Sequence, residues 1–333
     1  EMTSSLVGSE MCIRDSVSTA LTLCYFIINC IYSIKKLKMR FKFYGFEFSL
    51  LKEMWVFTFF IFISQIIDQV NWSVDKLLLG RLVGTNAVAI YGVGGQINSM
   101  YLQFSTAVSN VFVPSVNRIV AEDNNNNVEL TSLFTKVGRI QFFIMMLVLS
   151  GFVLIGKPFV CIWAGKQYLK AYYVTLFLII PVTIPLIQNL GIEIQRAKNM
   201  HKSRSLVYLC ISVMNVIISI PLIKEYGEVG AAMGTAFALI IGNIIFINWY
   251  YNYRIGLDMI YFWKNIIKII PSICIPCVCG FFIVRFVRID TFKQIACFAL
   301  IYTCIYTISI WVMGLNKYEK TIAMNMFKRI FRR

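Results

Sequence analysis

MWVFTFFIFISQIIDQVNWSVDKLLLG, residues 54–80, is the stretch on which the fold class turns. It opens with ten residues, Met54 to Ile63, that are apolar except for Thr58. About 20 such residues, rising 1.5 Å each as a helix, cross the ~30 Å of a bilayer's hydrocarbon. A barrel strand would instead alternate apolar and polar side chains over roughly ten residues, and this run does not. It therefore predicts a transmembrane helix. The same run carries Gln65, Asp68, Gln69, Trp72, Asp75 and Lys76, at spacings that draw one stripe on a helix. Asp68 falls near the midpoint, where an ionised carboxylate is disfavoured by about 2.5–3.5 kcal/mol, so it is expected to face water or a partner. Asp75 and Lys76 are adjacent, and two readings stand for them: mutual neutralisation, or snorkelling outward together with Arg81.

Outward from this run the pattern repeats. Apolar stretches of spanning length lie at about 17–34, 54–80, 87–113, 137–162, 172–195, 204–223, 229–251, 265–287 and 293–314. The expected fold class is all-α, a polytopic transmembrane helical bundle of about nine spans. Composition agrees: of 333 residues 58% are hydrophobic and 14% charged, with a mean hydropathy of +0.71. Soluble domains carry roughly 25% charged residues, so a soluble enzyme is excluded. The net charge of +16 does not point to nucleic acid, because the basic residues cluster in short loops facing anionic lipid. Counted loop by loop, one side holds 21 Lys and Arg and the other eight, which places the basic side and the C-terminus in the cytoplasm. Most of the ten cysteines lie within apolar runs and behave as small hydrophobes. Cys274, Cys277 and Cys279 share one span without a second ligand pair or a nearby His, so neither a metal site nor a cofactor is expected. His201 sits in a basic loop and reads as solvated.

Five segments follow. Residues 1–16, EMTSSLVGSEMCIRDS, match neither the periodicity nor the composition of the rest and read as a foreign leader. Residues 17–53 form a span and a basic linker, 54–253 a six-helix bundle, 254–314 two further spans, and 315–333 a basic tail.

The third span repeats the polar pattern. Gly92, Gln96, Ser99, Gln103, Thr106 and Asn110 fall on one face. Amides and small residues at that spacing also make ordinary helix contacts in lipid, so contact and substrate roles both stand for Gln96 and Gln103. Two consecutive helices with long polar faces favour a wet path between them. In the fifth span Pro181 and Pro185 bend the helix, and Glu193 and Arg196 beyond them are either an interfacial pair or site residues. The seventh span, rich in Gly and Ala from Gly227 to Gly242, reads as a close-packed helix.

A membrane enzyme acting on lipid-linked sugars, a polymerase or transferase, would need positioned acids or a long loop to carry them. No Asp-x-Asp pair is present, nor a His followed four or five residues later by an acid. No repeated filter motif suggests a channel. A transporter remains, and not an enzyme.

Trp72 to Gly92, WSVDKLLLGRLVGTNAVAIYG, resembles the start of the second half of the polysaccharide flippases, the Wzx-like branch of the multidrug, oligosaccharidyl-lipid and polysaccharide exporter superfamily. Asp75, Lys76, the apolar run ending at Gly80, and Tyr91-Gly92 carry the likeness, and Gly227 to Ala238, GEVGAAMGTAFA, is similar to a late helix of that family. The resemblance implies two six-helix bundles about a cationic cavity, with the nine spans here matching the later ones and the first bundle almost wholly absent. It implies a bacterial inner-membrane protein that flips undecaprenyl-pyrophosphate-linked oligosaccharide to the outer leaflet, with that lipid-linked sugar and membrane lipid as its partners. Lys76 and Arg81 would cancel pyrophosphate charge, and Gln65, Gln96, Gln103 and Asn110 would meet sugar hydroxyls. Asp68 or Asp75 would couple movement to a cation or proton. The alternative is an ion-coupled exporter of drugs or other small molecules from the same superfamily.

Overall fold

The computed structural model describes residues 2–36, 48–123, 126–198, 200–287, 289–316, 319–321 and 324. The side chains of 2–14, 50, 53, 56, 57, 60, 61, 63–68, 70–72 and 201–207 are outside that description. Gln65, Asp68 and His201 therefore lie outside the described residues as far as their side chains go. The chain divides into a unit of residues 1–56 and a larger one of residues 57–333.

The first unit contains helix α1 (Met2–Lys35) and the start of α2 (Phe48–Leu82). The leader stretch is helical and continuous with the first span, where sequence reading set it aside. No proline interrupts it, and only Gly8 opposes a helix there.

In the second unit the rest of α2 is followed by α3 (Thr85–Glu122), α4 (Asn127–Trp163), α5 (Lys170–Ile187), α6 (Leu190–Ala197) and α7 (His201–Leu239). Then come α8 (Ile247–Tyr250), set between widened π-type turns at Ile240–Phe246 and Tyr251–Ile255, and α9 (Met259–Ile267), α10 (Ile270–Phe286) and α11 (Phe292–Ser309). Among the described residues, six helical segments are long and apolar enough to cross a membrane. All nine apolar runs fall on helix apart from short breaks. The chain is a multi-pass, all-α membrane protein, as the sequence predicts.

Two breaks shape the bundle. Pro181 and Pro185 lie inside α5, and the chain steps from α5 to α6 through tightened turns, with Gln188 N–H on Pro185 O at 3.2 Å and Gly191 N–H on Gln188 O at 2.9 Å. The sixth and seventh predicted spans meet at Gly227, whose φ of 59° only glycine adopts without strain. Past it the two arms press together: a Cβ on Gly230 would collide with the Leu222 carbonyl, and one on Gly234 with Ser219. The close packing expected of this Gly/Ala-rich span is a tight helical hairpin.

The main core joins α3 through Tyr101 and Val116, α4 through Phe134, Val137 and Met145, and the C-terminal helices through Phe262, Phe298 and Tyr302. A smaller cluster ties Leu79 of α2 and Tyr91 of α3 to Val174 and Leu178 of α5 and Ile223 and Ala231 of α7. This second cluster places the candidate site.

Candidate functional site

Helix α3 has two polar faces with opposite fates. Asn98, Ser105 and Ser109 are buried. There Gln141 Nε2 donates to Ser109 Oγ at 2.7 Å, and Ser105 Oγ donates to the Leu186 carbonyl at 2.7 Å, fastening α3 to α4 and α5. The predicted stripe lies on the other side: Gln96, Ser99, Gln103, Thr106 and Asn110 are all exposed. From Gln96 to Asn110 it runs about 21 Å at 1.5 Å per residue. No other part of the described chain covers it. Lys76 and Arg81, near the end of α2, are exposed as well.

Along α2 the stripe parts at Asp75 and Lys76. Lys76 points outward, whereas Asp75 is fully buried. Adjacent residues on a helix diverge by about 100°, so the two part company, and no ion pair joins them. Asp75 is thus placed among packed side chains rather than on the exposed face, and the readings of Asp75 and Lys76 as a neutralising pair or as joint snorkellers give way. Its carboxylate gathers three helices. The Tyr91 hydroxyl (α3) donates to Oδ2 at 2.8 Å, the Thr235 hydroxyl (α7) donates to the same oxygen at 2.6 Å, and Asn215 Nδ2 (α7) lies 3.5 Å from Oδ1. The Ser219 hydroxyl in turn donates to Asn215 Oδ1 at 3.0 Å. Thr235 and Asn215 stand on opposite arms of the hairpin that Gly227 turns, so the close approach at Gly230 and Gly234 brings this cluster together. Among the described residues no cation is paired with Asp75. A buried carboxylate served only by neutral donors keeps an uncompensated charge unless a proton or a small cation neutralises it.

Arg196 is exposed and its Nη1 meets Glu193 Oε1 at 2.7 Å, three residues back. Arg196 thus pairs with Glu193, far in sequence from the α2–α3 stripe.

Sequence reading missed Tyr91, Asn215 and Thr235 as a set. The signal available was the Ser219/Thr235 polarity inside two apolar runs, but only the hairpin shows that it converges on Asp75. It also missed Arg139, one of the 21 basic residues assigned to the loops and tail of the cytoplasmic side. Arg139 is buried, with Nε on Glu319 Oε1 at 2.6 Å, Nη2 on Glu319 Oε2 and the Gly314 carbonyl at 2.9 Å each, and Nη1 on the Asn265 carbonyl at 2.9 Å. It binds α9 and the segment that follows α11 to α4. Near the same end, Lys198 Nζ donates to Asn127 Oδ1 at 2.6 Å and to the Ile255 carbonyl at 3.2 Å. Burial pulls this ammonium below the usual lysine range, and the Asp123 carboxylate opposes the shift.

Comparison with known proteins follows the same lines. A family model described as a polysaccharide biosynthesis protein matches residues 18–173. The probable flippase AglR of Haloferax volcanii is 22% identical over 177 residues, 53% of this chain and 37% of that protein. The capsular polysaccharide biosynthesis protein CapF of Staphylococcus aureus is 21% identical over 246 residues, 70% of this chain and 60% of that protein. Among solved structures, the lipid II flippase MurJ in an inward closed conformation superposes with a TM-score of 0.60 at 17% identity, covering 92% of this chain and 60% of that one. The chain thus spans less than two thirds of the length of each of these proteins. The resemblance read from Trp72–Gly92 is borne out, for that stretch lies within the segment matched by the family model.

Proposed function

We propose that this chain forms one wall of the transport path of an exporter that moves undecaprenyl-pyrophosphate-linked oligosaccharide across the bacterial inner membrane for surface polysaccharide synthesis. The observation that carries the reading is the exposed amide stripe of α3, Gln96 to Asn110, on a helix whose opposite face is anchored in the core. Amides along a membrane-depth face serve hydroxyl-rich cargo, each offering donors and an acceptor to sugar oxygens. Lys76 and Arg81 at the end of the neighbouring helix supply positive charge for the pyrophosphate, while the lipid tail stays in the bilayer. Gln65, on the α2 stretch before Asp68, belongs to the same proposed path. The protein acts as a transporter, not an enzyme, with its C-terminus in the cytoplasm as the 21 to eight distribution of basic residues implies.

We also infer that Asp75 couples export to a proton or cation. Neutralising it removes the penalty of an unpaired buried charge, and its donors come from α2's neighbours α3 and α7. Loss or gain of that neutralising ion therefore changes how tightly three helices hold together, and this is how a gradient can bias a moving bundle.

The test is export of surface glycan by the complete protein in cells lacking their own copy. Replacing Lys76 by Gln together with Gln96 and Gln103 by Leu is expected to lower surface glycan by at least about tenfold, the effect of roughly 1.4 kcal/mol on binding, at unchanged membrane levels. Normal glycan from that triple variant would sink the reading. Glycan loss with normal drug resistance separates this function from small-molecule export.

A further inference from the structure

A second charged feature lies away from the α3 stripe. A cleft of about 360 Å³ opens between the start of α4, the loop after α6 and the turn after α8, lined by Asn127, Lys198, Met200, Tyr253, Arg254 and Gly256 among others. Two of its lining groups are cations and none is an acid. Lys198 spends two of its three N–H donors on Asn127 and Ile255. Arg254 is exposed and has no ion-pair partner among the described residues. Gly256, at φ 82°, lets the backbone turn against the Asn127 side chain, where a Cβ would collide.

An aromatic ladder leads to this cleft. Phe246 and Trp249 meet as tilted rings with centroids 5.6 Å apart, and Trp249 and Tyr253 follow, also tilted, at 5.8 Å. All three are exposed, Tyr253 at 72%, and Ile241 and Ile245 beside them are exposed too. Rings of this kind sit where acyl chains give way to headgroups. Tyr253 belongs to both ladder and cleft, so a ladder at the membrane interface brings the cations of the cleft to headgroup level.

We propose that this cleft binds the phosphate of an anionic phospholipid headgroup, with Lys198 and Arg254 meeting the phosphate and the Phe246–Trp249–Tyr253 ladder lying along the lipid. The occupant is a bilayer lipid rather than a soluble phosphate, because the ladder continues the cleft into the hydrocarbon surface. Basic pockets between helices on the cytoplasmic side recognise such headgroups by charge. The half-buried Lys198 ammonium is held by neutral acceptors at Asn127 and Ile255, with the Asp123 carboxylate acting on it from outside the cleft lining, and it draws an arriving anion by charge. This site is separate from the export path and stands whether or not the chain moves a glycan.

The experiment is native mass spectrometry of the full chain released from nanodiscs of phosphatidylglycerol mixed with phosphatidylcholine. Phosphatidylglycerol is expected to be retained selectively, and Arg254→Gln to weaken that retention about fivefold, as for one basic residue near an anionic surface. Lys198→Gln should do the same and the double variant more, with phosphatidylcholine retention unchanged. Arg254 makes no described protein hydrogen bond, so Arg254→Gln keeps the test valid even if Lys198→Gln impairs folding. Equal phosphatidylglycerol retention by wild type and Arg254→Gln overturns the proposal. So does displacement of the lipid by millimolar inorganic phosphate that itself protects the protein against heat, which assigns the cleft to a soluble anion.

Discussion

Asp75 and Arg139 are both ionic side chains buried in a protein that lives in lipid, and they are satisfied in opposite ways. Arg139 meets a full counter-charge: Glu319 accepts from Nε and Nη2, and two backbone carbonyls take remaining donors. Their side chains are 5% and 9% exposed, so water screens little of the interaction. Breaking such a pair leaves an unpaired buried charge, which destabilises by about 3–5 kcal/mol. Arg139→Met and Glu319→Gln are each expected to lower the melting temperature sharply. The double variant should lose less than the sum, because removing both charges leaves none stranded. A double-mutant cycle showing additive losses would mean that the two do not act as a pair. Asp75, by contrast, meets only hydroxyls and an amide, as the coupling role proposed for it requires.

At the level of elements, α3 and α7 show what a helix face does once its surroundings are known. The buried face of α3 also carries polar residues, yet Ser105 and Ser109 are consumed by Gln141 and the Leu186 carbonyl while Gln96 and Gln103 remain open. Glycines of α7 and α3 differ in the same way. Gly234→Val is expected to push the hairpin arms apart, separate Thr235 from Asp75 and abolish folded protein recovered from membranes, since Ser219 already occupies the space a Cβ would need. Gly92→Ala on α3 meets nothing within 4 Å and should leave yield and melting temperature unchanged or slightly improved, Ala being the better helix former by about 1 kcal/mol. Comparable yields of the two variants would contradict the packing described for the hairpin.

For the molecule as a whole, one carboxylate ties α2 to both α3 and α7, so its neutralisation state and the relative placement of three helices are linked quantities. Asp75→Asn mimics the neutral form and is expected to keep the fold while uncoupling export. In proteoliposomes carrying the complete protein, wild-type flipping should respond to an imposed proton or sodium gradient, and the Asn variant should flip at one gradient-independent rate. A gradient response equal to wild type would remove Asp75 from the coupling role.

Some of this was legible in the letters alone. Run length and the absence of two-residue alternation specify helices that cross a membrane, because the bilayer imposes one length on every span and forbids unpaired backbone within it. The α3 stripe was legible for the same reason that helix periodicity is local: Gln96, Gln103 and Asn110 share a face wherever the helix goes. Which polar residues would be spent on packing was not legible. Asp75 and Lys76 are neighbours with nearly equal polarity, and only the approach of Tyr91, Asn215 and Thr235 decides that the first turns inward. Arg139 looked like a loop cation until Glu319, distant in sequence, closed on it. Periodicity is a property of one segment, whereas burial and pairing belong to contacts between segments, and those exist only once the chain has folded.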